Sequence, residues 1–273
     1  MSEKERIDVL LADKDIYSSR SKAKRAIMAG KIYVNDQLVD KAGTKVKIDS
    51  EIRIKGRKIP YVSRGGLKLE KALKIFPVNP HSKEVIDIGA STGGFTDCLL
   101  QNGAKKVYAI DVGYGQLAWK LRQDDRVQVK ERCNFRYLTP AEFPVQVPLI
   151  VTDVSFISLK LIIPTALKFM AENGEFIALI KPQFEAGRKR VGKNGLVKDK
   201  DVHRDVLNNM SEFIDDLNLH LSNLSFSPVT GSSSKNIEFL IYFKNNNERN
   251  DLSKWKDKIN TVVEEAHQAH NIK

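Results

Sequence analysis

The chain has 273 residues, 41% hydrophobic and 29% charged, enough for one full α/β domain and a small companion, since domains run roughly 100–200 residues. No apolar run nears the roughly 18 residues a membrane span requires. The N-terminus lacks the apolar segment of a signal peptide, and Cys98 and Cys133 have neither metal nor disulfide-framework spacing, which together predict a cytoplasmic protein without a membrane partner or a structural metal. The net charge of +11 is uneven: residues 1–80 hold 19 Lys and Arg against 10 Asp and Glu, whereas the rest hold 26 against 24. A basic segment ahead of a nearly neutral one predicts a grip on nucleic acid, because Lys and Arg displace counterions condensed on phosphates.

In chain order, Arg6 to Leu11 begins a short amphipathic helix, and Ser18-Ser19 cap a second, Arg20 to Ala29, closed by Gly30. Arg20, Lys22, Lys24 and Arg25 share that helix with Ala23, Ala26, Ile27 and Met28, so one face packs while the other meets phosphates. Lys31 to Val34 alternates as a strand, Asn35-Asp36 turns, and Val46, Ile48, Ile52 and Ile54 suggest a small sheet. Residues 1–58 therefore read as a small α+β nucleic-acid-binding domain, with Arg6, Arg20, Lys22, Lys24, Arg25 and Lys31 as candidate contacts. Residues 59–66 read as a linker stiffened by Pro60 and carrying Arg64 as a further contact; residues 67–273 form the larger domain, opening with a helix from near Leu67 to Phe76.

The larger domain is organised around Val85 to Thr96, where an apolar strand ends at Asp87-Ile88-Gly89, and Gly93-Gly94 precede a helix from Phe95 to Gln101. A strand, a glycine turn and a helix N-terminus predict a nucleotide-like cofactor held along Asp87, Gly89, Ala90, Ser91, Thr92, Gly93, Gly94 and Phe95. Lys106 to Ile110 is the next strand, and Asp111 at its end, followed by Val112, is placed to accept from ribose hydroxyls. The Gly-x-Gly-x-x-Gly spacing that cradles a pyrophosphate is missing; the acidic opening of the motif suits the cationic end of S-adenosylmethionine.

Further on, Gly115 to Arg122 predicts a helix, Val127 to Val129 a third strand, Pro148 to Asp153 a fourth and Glu175 to Lys181 a fifth, as in a doubly wound parallel sheet. Asp153, shared between cofactor and chemistry, and Lys181 stand at strand ends where ligands of such sheets bind. Asp153 is followed by Val154-Ser155-Phe156 rather than the Pro-Pro-aromatic run that grips an exocyclic amine, which points away from a base nitrogen as acceptor. A loop from Ala186 to Lys200, rich in Gly, Lys and Arg, that could close over substrate, a helix from Asp201 to Leu217, a strand from Leu219 to Phe226, a polar turn from Gly231 to Asn236, and a strand from Ile237 to Phe243 containing Glu238 complete the domain, with a covering helix from Leu252 to His270. His267 and His270 have helical metal spacing, yet no carboxylate or thiol motif joins them, so no metal is expected.

The run Ser19-Arg20-Ser21-Lys22-Ala23 through Gly30-Lys31-Ile32-Tyr33-Val34-Asn35 resembles the RNA-binding domain named after ribosomal protein S-four, which implies a preference for structured RNA. Lys68, Asp153, Lys181 and Glu238 resemble the Lys-Asp-Lys-Glu tetrad of FtsJ-like ribose 2′-O-methyltransferases. Asp87-Ile88-Gly89-Ala90-Ser91-Thr92-Gly93-Gly94-Phe95, Asp111-Val112-Gly113-Tyr114-Gly115-Gln116-Leu117, Asp153-Val154-Ser155-Phe156 and Lys181-Pro182-Gln183-Phe184-Glu185 are similar to runs of the TlyA family of rRNA methyltransferases. The resemblance implies a Rossmann-like class I methyltransferase sheet behind a small N-terminal RNA-binding domain, with S-adenosyl-L-methionine as cofactor. It further implies 2′-O-methylation of cytidine in 16S or 23S ribosomal RNA, on rRNA or ribosomal subunits. In that chemistry Lys181 is the expected base, Lys68 the neighbouring cation, Asp153 the group that orients Lys181, and Glu238 the group that holds Lys68 or the ribose. Two alternatives from other classes are a catalytically silent, cofactor-sensing RNA-binding protein and, from the haemolysin name some relatives carry, a membrane-lytic protein.

Overall fold

The computed structural model describes residues 3–14, 16–17, 19–55, 59–231, 235–246 and 248–270, so Ser18 and the turn 232–234 lie outside the described residues. The chain divides into two compact units, Met1–Ile59 and Pro60–Lys273.

The first unit comprises β1 (Lys4–Arg6), α1 (Ile7–Asp13), α2 (Arg20–Met28), β2 (Ile32–Val34), β3 (Gln37–Val39), β4 (Lys45–Lys47) and β5 (Ile52–Ile54). The Ser19 side chain accepts from the Lys22 N–H and caps α2, and Gly30 takes the left-handed conformation that ends it. Asn35 and Asp36 both have positive φ, as a two-residue hairpin demands, and return β3 against β2. Ile7, Leu11, Ile27 and Ile32 are fully buried in a core sandwiched between helices and sheet. Asp8 is buried among them, accepting from Arg6 at 3.0 Å and Arg20 at 3.1 Å. The Arg6 hydrogen bond, helped by Arg20, outweighs burial and pulls the Asp8 carboxyl down to about 2. Two of the expected phosphate-binding arginines thus neutralise an internal carboxylate, while Lys22, Lys24, Arg25 and Lys31 project as exposed side chains.

The second unit holds α3 (Gly65–Ile75), β6 (Glu84–Ile88), α4 (Gly94–Gln101), β7 (Lys106–Ile110), α5 (Trp119–Arg122), β8 (Val127–Lys130), β9 (Val147–Thr152), α6 (Ile163–Ala166), β10 (Met170–Ile180), α7 (Pro182–Glu185), α8 (Lys200–Asp216), β11 (His220–Phe226), β12 (Phe239–Lys244) and α9 (Leu252–His270). Its seven-stranded sheet has the order β11-β12-β10-β9-β6-β7-β8. One face buries Leu69, Cys98, Leu99 and Val107, the other Phe169, Phe176, Leu207 and Ile259.

Four expectations are corrected here. The sheet is not wholly parallel: β12 runs antiparallel to both β10 and β11, with Phe226 at the end of β11 paired to Phe239 at the start of β12, so consecutive strands lie side by side as in an antiparallel pair. The helix expected from Gly115 shrinks to α5, since Gly115 is left-handed and the strand-like approach is held by Ala118 N–H donating to the Thr92 carbonyl at 3.0 Å. Glu238 stands one residue ahead of β12 rather than inside it. Residues 60–66 are packed into the second unit instead of serving as a free linker: Tyr61 is buried, and the Val62 N–H donates to Asp97 at 2.8 Å. Gly65 and Gly66 already belong to α3, and a Cβ on Gly94 would lie 2.8 Å from the Gly66 nitrogen, so these glycines let α3 and α4 close on each other.

Candidate active site

The carboxyl ends of β6, β9 and β10 open on a cavity of ≈ 600 Å³. The residues that follow those strands are Gly89, Asp153 and Lys181, and Lys68 enters from the first turn of α3. Because β12 is reversed and Phe239 pairs with Ile180, Glu238 arrives at the same edge beside Lys181. All four members of the sequence-predicted tetrad line the cavity.

Their contacts form a chain of alternating charge. Glu238 Oε2 lies 2.7 Å from Lys68 Nζ, Lys68 donates to Asp153 Oδ2 at 3.1 Å, and Asp153 Oδ1 lies 2.6 Å from Lys181 Nζ. Lys181 also donates to Ser155 Oγ at 2.7 Å. Burial disfavours the ammonium of Lys68 more than any single contact favours it, yet the carboxylates of Asp153 and Glu238 together prevail and hold its pKa above the ordinary lysine value. Burial likewise opposes the Asp153 carboxylate, but Lys68 and Lys181 overcome it and keep that pKa low. For Glu238 burial wins, aided by nearby Asp153, and the carboxyl is raised despite Lys68. Lys68 is therefore a fixed cation between two acids, whereas Lys181 shares one acid and otherwise meets a neutral hydroxyl.

The glycine turn forms the opposite wall. Gly89, Ala90, Ser91, Thr92, Gly94 and Phe95 line the cavity; Asp87, Gly93, Asp111 and Val112 do not. Gly89 has φ +81, and a Cβ there would sit 3.0–3.1 Å from Val154 and the Asp153 carbonyl oxygen, so the turn must be glycine to pass beneath the Asp153 loop. Asp87 is fully buried below the turn and accepts from the Thr96 hydroxyl at 2.6 Å; burial pushes its carboxyl up to about 7. Asp111 accepts from the Ser91 N–H at 2.8 Å and the Gly113 N–H at 2.7 Å, which fixes both oxygens while leaving each a further lone pair. Arg64 is exposed at the rim and donates to the Thr230 carbonyl at 3.3 Å.

Several lining residues were not anticipated. Phe156 is 91% exposed with φ +63, a conformation a bulky side chain adopts only under constraint, and its ring lies 5.2 Å from that of Phe184. Glu185 supplies the constraint, accepting from Ser158 Oγ at 2.6 Å and the Leu159 N–H at 2.8 Å. Asn236 reaches across to the 186–200 loop, donating to the Gly195 carbonyl and accepting from the Val197 N–H, both at 2.7 Å, which sets Asn194 and Gly195 on the cavity rim. The sequence hints were the departure at Val154-Ser155-Phe156 from the amine-gripping pattern and the Gly-, Lys- and Arg-rich loop Ala186 to Lys200, to which Asn194 and Gly195 belong. Elsewhere, His267 does not join His270 in a site: it meets the buried His203 at 2.9 Å, and among the described residues no group of three His, Cys, Asp or Glu could hold a metal.

A sheet with one reversed strand next to its outer edge, a glycine turn after the first strand of the parallel set, and an ionic tetrad at the ligand-binding edge define the class of Rossmann-like methyltransferases. Residues 61–245 match the FtsJ-like methyltransferase family, and residues 5–52 match the S4 domain. The chain is 54% identical to YqxC of Bacillus subtilis strain 168, named as a candidate rRNA methyltransferase, over 97% of this chain and 95% of that one. It is 36% identical to the 16S/23S rRNA (cytidine-2′-O)-methyltransferase TlyA of Mycobacterium tuberculosis over 91% and 93%. A solved, hemolysin-named structure from Streptococcus thermophilus is 46% identical, with a TM-score of 0.76 and coverage of 99% and 98%. The chain belongs to the FtsJ-like methyltransferase family, in the group that contains TlyA.

Proposed function

We propose that the protein methylates the ribose 2′-hydroxyl of cytidine in ribosomal RNA, 16S, 23S or both, using S-adenosylmethionine. The observation that carries the reading is the tetrad: four residues from four separated segments meet within hydrogen-bonding distance at the open edge of the sheet. The cavity volume suits a nucleoside-sized cofactor with room for an acceptor, since small-molecule sites measure about 300–1,000 Å³. The residues present fit the cofactor: the Gly89–Phe95 wall would flank it, Asp111, outside the cavity lining, keeps spare lone pairs that suit ribose hydroxyls, and Asp153, the acid that lines the cavity beside the turn, suits a cationic amino-acid end. When bound, S-adenosylmethionine supplies an electrophilic methyl group.

The chain's own residues then manage the acceptor. A ribose hydroxyl is a poor nucleophile until its proton departs, and Lys181, the amine not locked between two carboxylates, is the group proposed to receive it in its neutral form. Asp153 and Ser155 aim that nitrogen; Lys68, kept charged, stabilises the oxygen as negative charge develops. Glu238 holds Lys68 in place. Phe156, propped outward beside Lys181, offers a stacking face for the target nucleobase. The first unit, through Lys22, Lys24, Arg25 and Lys31, supplies phosphate contacts to structured RNA.

The alternative of a catalytically silent RNA binder finds no support in a fully assembled tetrad. For the lytic alternative, no described helix is long and apolar enough to cross a membrane. The test is mass-spectrometric mapping of ribose methylation in ribosomal RNA incubated with protein and S-adenosylmethionine: new 2′-O-methylcytidine supports the reading, and methylation confined to bases would replace it.

A further inference from the structure

We propose that a second groove, continuous with the acceptor pocket, binds the RNA strand that flanks the target nucleotide, placing its phosphodiester between Arg136 and Arg188. The inference rests on the RNA-methyltransferase reading and extends it to a part of the surface outside the tetrad. The groove measures ≈ 670 Å³ and shares Phe156, Gln183 and Phe184 with the cavity described above, so a strand leaving the first space enters the second across an aromatic wall. That wall is preorganised: the Phe156 and Phe184 rings face each other at 5.2 Å, and Glu185 ties the Phe156 loop to α7.

The charges at the groove are selectively free. In the Arg188-Lys189-Arg190 turn, Arg190 is committed to the protein, donating to the Ala186 carbonyl at 3.0 Å and to Asp205 at 2.7 Å. That anchoring fixes the turn, while Arg188 is exposed on the groove and makes no ion pair among the described residues. Arg136 is held through its backbone, its carbonyl accepting from Thr165 at 2.9 Å, and its guanidinium lies 5.3 Å from the Tyr137 ring with no carboxylate partner among the described residues. Tyr137 is 66% exposed, so the Arg136–Tyr137 pair presents a cationic stacking platform. At the junction of the two spaces, the Gln183 amide oxygen is buried with no hydrogen-bond partner among the described residues, an acceptor that a base amine or ribose hydroxyl would satisfy after a side-chain rotation. Two unpaired guanidinium groups flanking aromatic faces match a single strand of RNA; an acidic peptide would not call for the stacking faces.

The experiment compares wild type, Arg136→Gln/Arg188→Gln and Arg136→Lys/Arg188→Lys in full-length protein, with unmodified ribosomal RNA or subunits and S-adenosylmethionine. The Gln pair should raise KM for RNA at least tenfold, leave kcat at saturating RNA and cofactor affinity unchanged, and reduce the slope of log affinity against log salt by about 0.7, the value of the one single-strand phosphate that the two arginines share. The Lys pair should restore the salt slope, because it restores charge. An unchanged KM and salt slope in the Gln pair, with wild type active, would overturn the groove while leaving the methyltransferase reading intact. If wild type itself fails to methylate RNA, that reading fails first. A Gln pair that loses kcat or cofactor affinity together with RNA affinity would show that these arginines serve the pocket's structure, which also overturns the proposal.

Discussion

Replacing Lys68 by methionine withdraws the cation that two carboxylates share. In the folded protein its nitrogen lies 3.1 Å from Asp153 and 2.7 Å from Glu238, and the Glu238 side chain is 3% exposed. Asp153 would keep Lys181 at 2.6 Å, so the uncompensated group is Glu238. Removing one partner of a buried ion pair costs about 3–5 kcal/mol, against a total stability of about 5–15 kcal/mol for a typical domain. The loss should depend on pH in a definite sense. The Glu238 carboxyl is raised in the folded state by burial, so the folded protein binds the proton more tightly than the unfolded chain; this contribution is present below the unfolded carboxylate value and disappears as pH rises through the folded one. Without Lys68 the folded value climbs further, and the penalty of the variant shrinks as the medium is acidified. Both tryptophans, Trp119 and Trp255, lie in the second unit, and Trp255 is buried, so urea unfolding followed by tryptophan fluorescence reports on that unit. The expected result is a loss of about 3–5 kcal/mol near pH 8, a smaller loss near pH 5, and recovery of stability in Lys68→Met/Glu238→Leu. A loss below about 1 kcal/mol, or one that is equal at both pH values, would refute the electrostatic account of the tetrad.

Lys181→Ala should slow single-turnover methyl transfer by about 10²–10⁴-fold, as expected for a lost general base, while equilibrium dialysis finds cofactor affinity unchanged. Phe156→Ala should weaken RNA binding by about 1–3 kcal/mol, the value of one base stacked on an aromatic ring, as read by filter binding. The buried His203 ring, lowered from 6.5 to about 4 by burial first and by His267 second, predicts acid sensitivity. Because the unfolded chain takes the proton first, stability is complete above the unfolded value and falls as pH drops from 6.5 toward about 4, by up to about 3 kcal/mol. His203→Phe should flatten that part of the stability curve, which urea midpoints across the range would reveal.

What could be read in the sequence was the part written locally. The strand-turn-helix at Val85 to Gln101 and the basic α2 beside its small sheet both declare themselves through glycine placement, capping and alternation within a dozen residues. The tetrad was legible only as four residue types in order; nothing in their spacing gives the distances that join them. Direction was the first thing lost, because an apolar strand such as Phe239–Lys244 reads identically whichever way it runs. Packing was the second. Asp87 opens the glycine motif like a ligand-binding acid yet lies under the turn on Thr96, and Gly93, at φ +99, avoids Leu121 rather than making room in the cavity. His203 and His267 were separated by most of the C-terminal third of the chain and meet only because α8 and α9 pack side by side.

The reversed strand decides more than topology. Parallel strands deliver their C-terminal residues to the ligand edge, which is how β6, β9 and β10 present Gly89, Asp153 and Lys181. Had β12 been parallel, its six residues, at about 3.3 Å each, would have carried Glu238 some 20 Å away to the far edge of the sheet, and Lys68 would face Asp153 alone. Running backward, β12 begins where the others end, and the pairing of Phe239 with Ile180 fixes Glu238 next to Lys181 within one residue of register. A one-residue slip would turn Glu238 away from the tetrad, so the pairing of Phe226 with Phe239 must hold its register as strictly as the tetrad holds its charges. The bonds that do so flank that pairing: the Ser227 N–H donates to the Glu238 carbonyl at 2.7 Å, and Asn236, two residues before Glu238, is tied to Gly195 and Val197 of the 186–200 loop. Sequence separation within the tetrad is thus a consequence of building one charged cluster from two strand ends, one strand beginning and one helix turn.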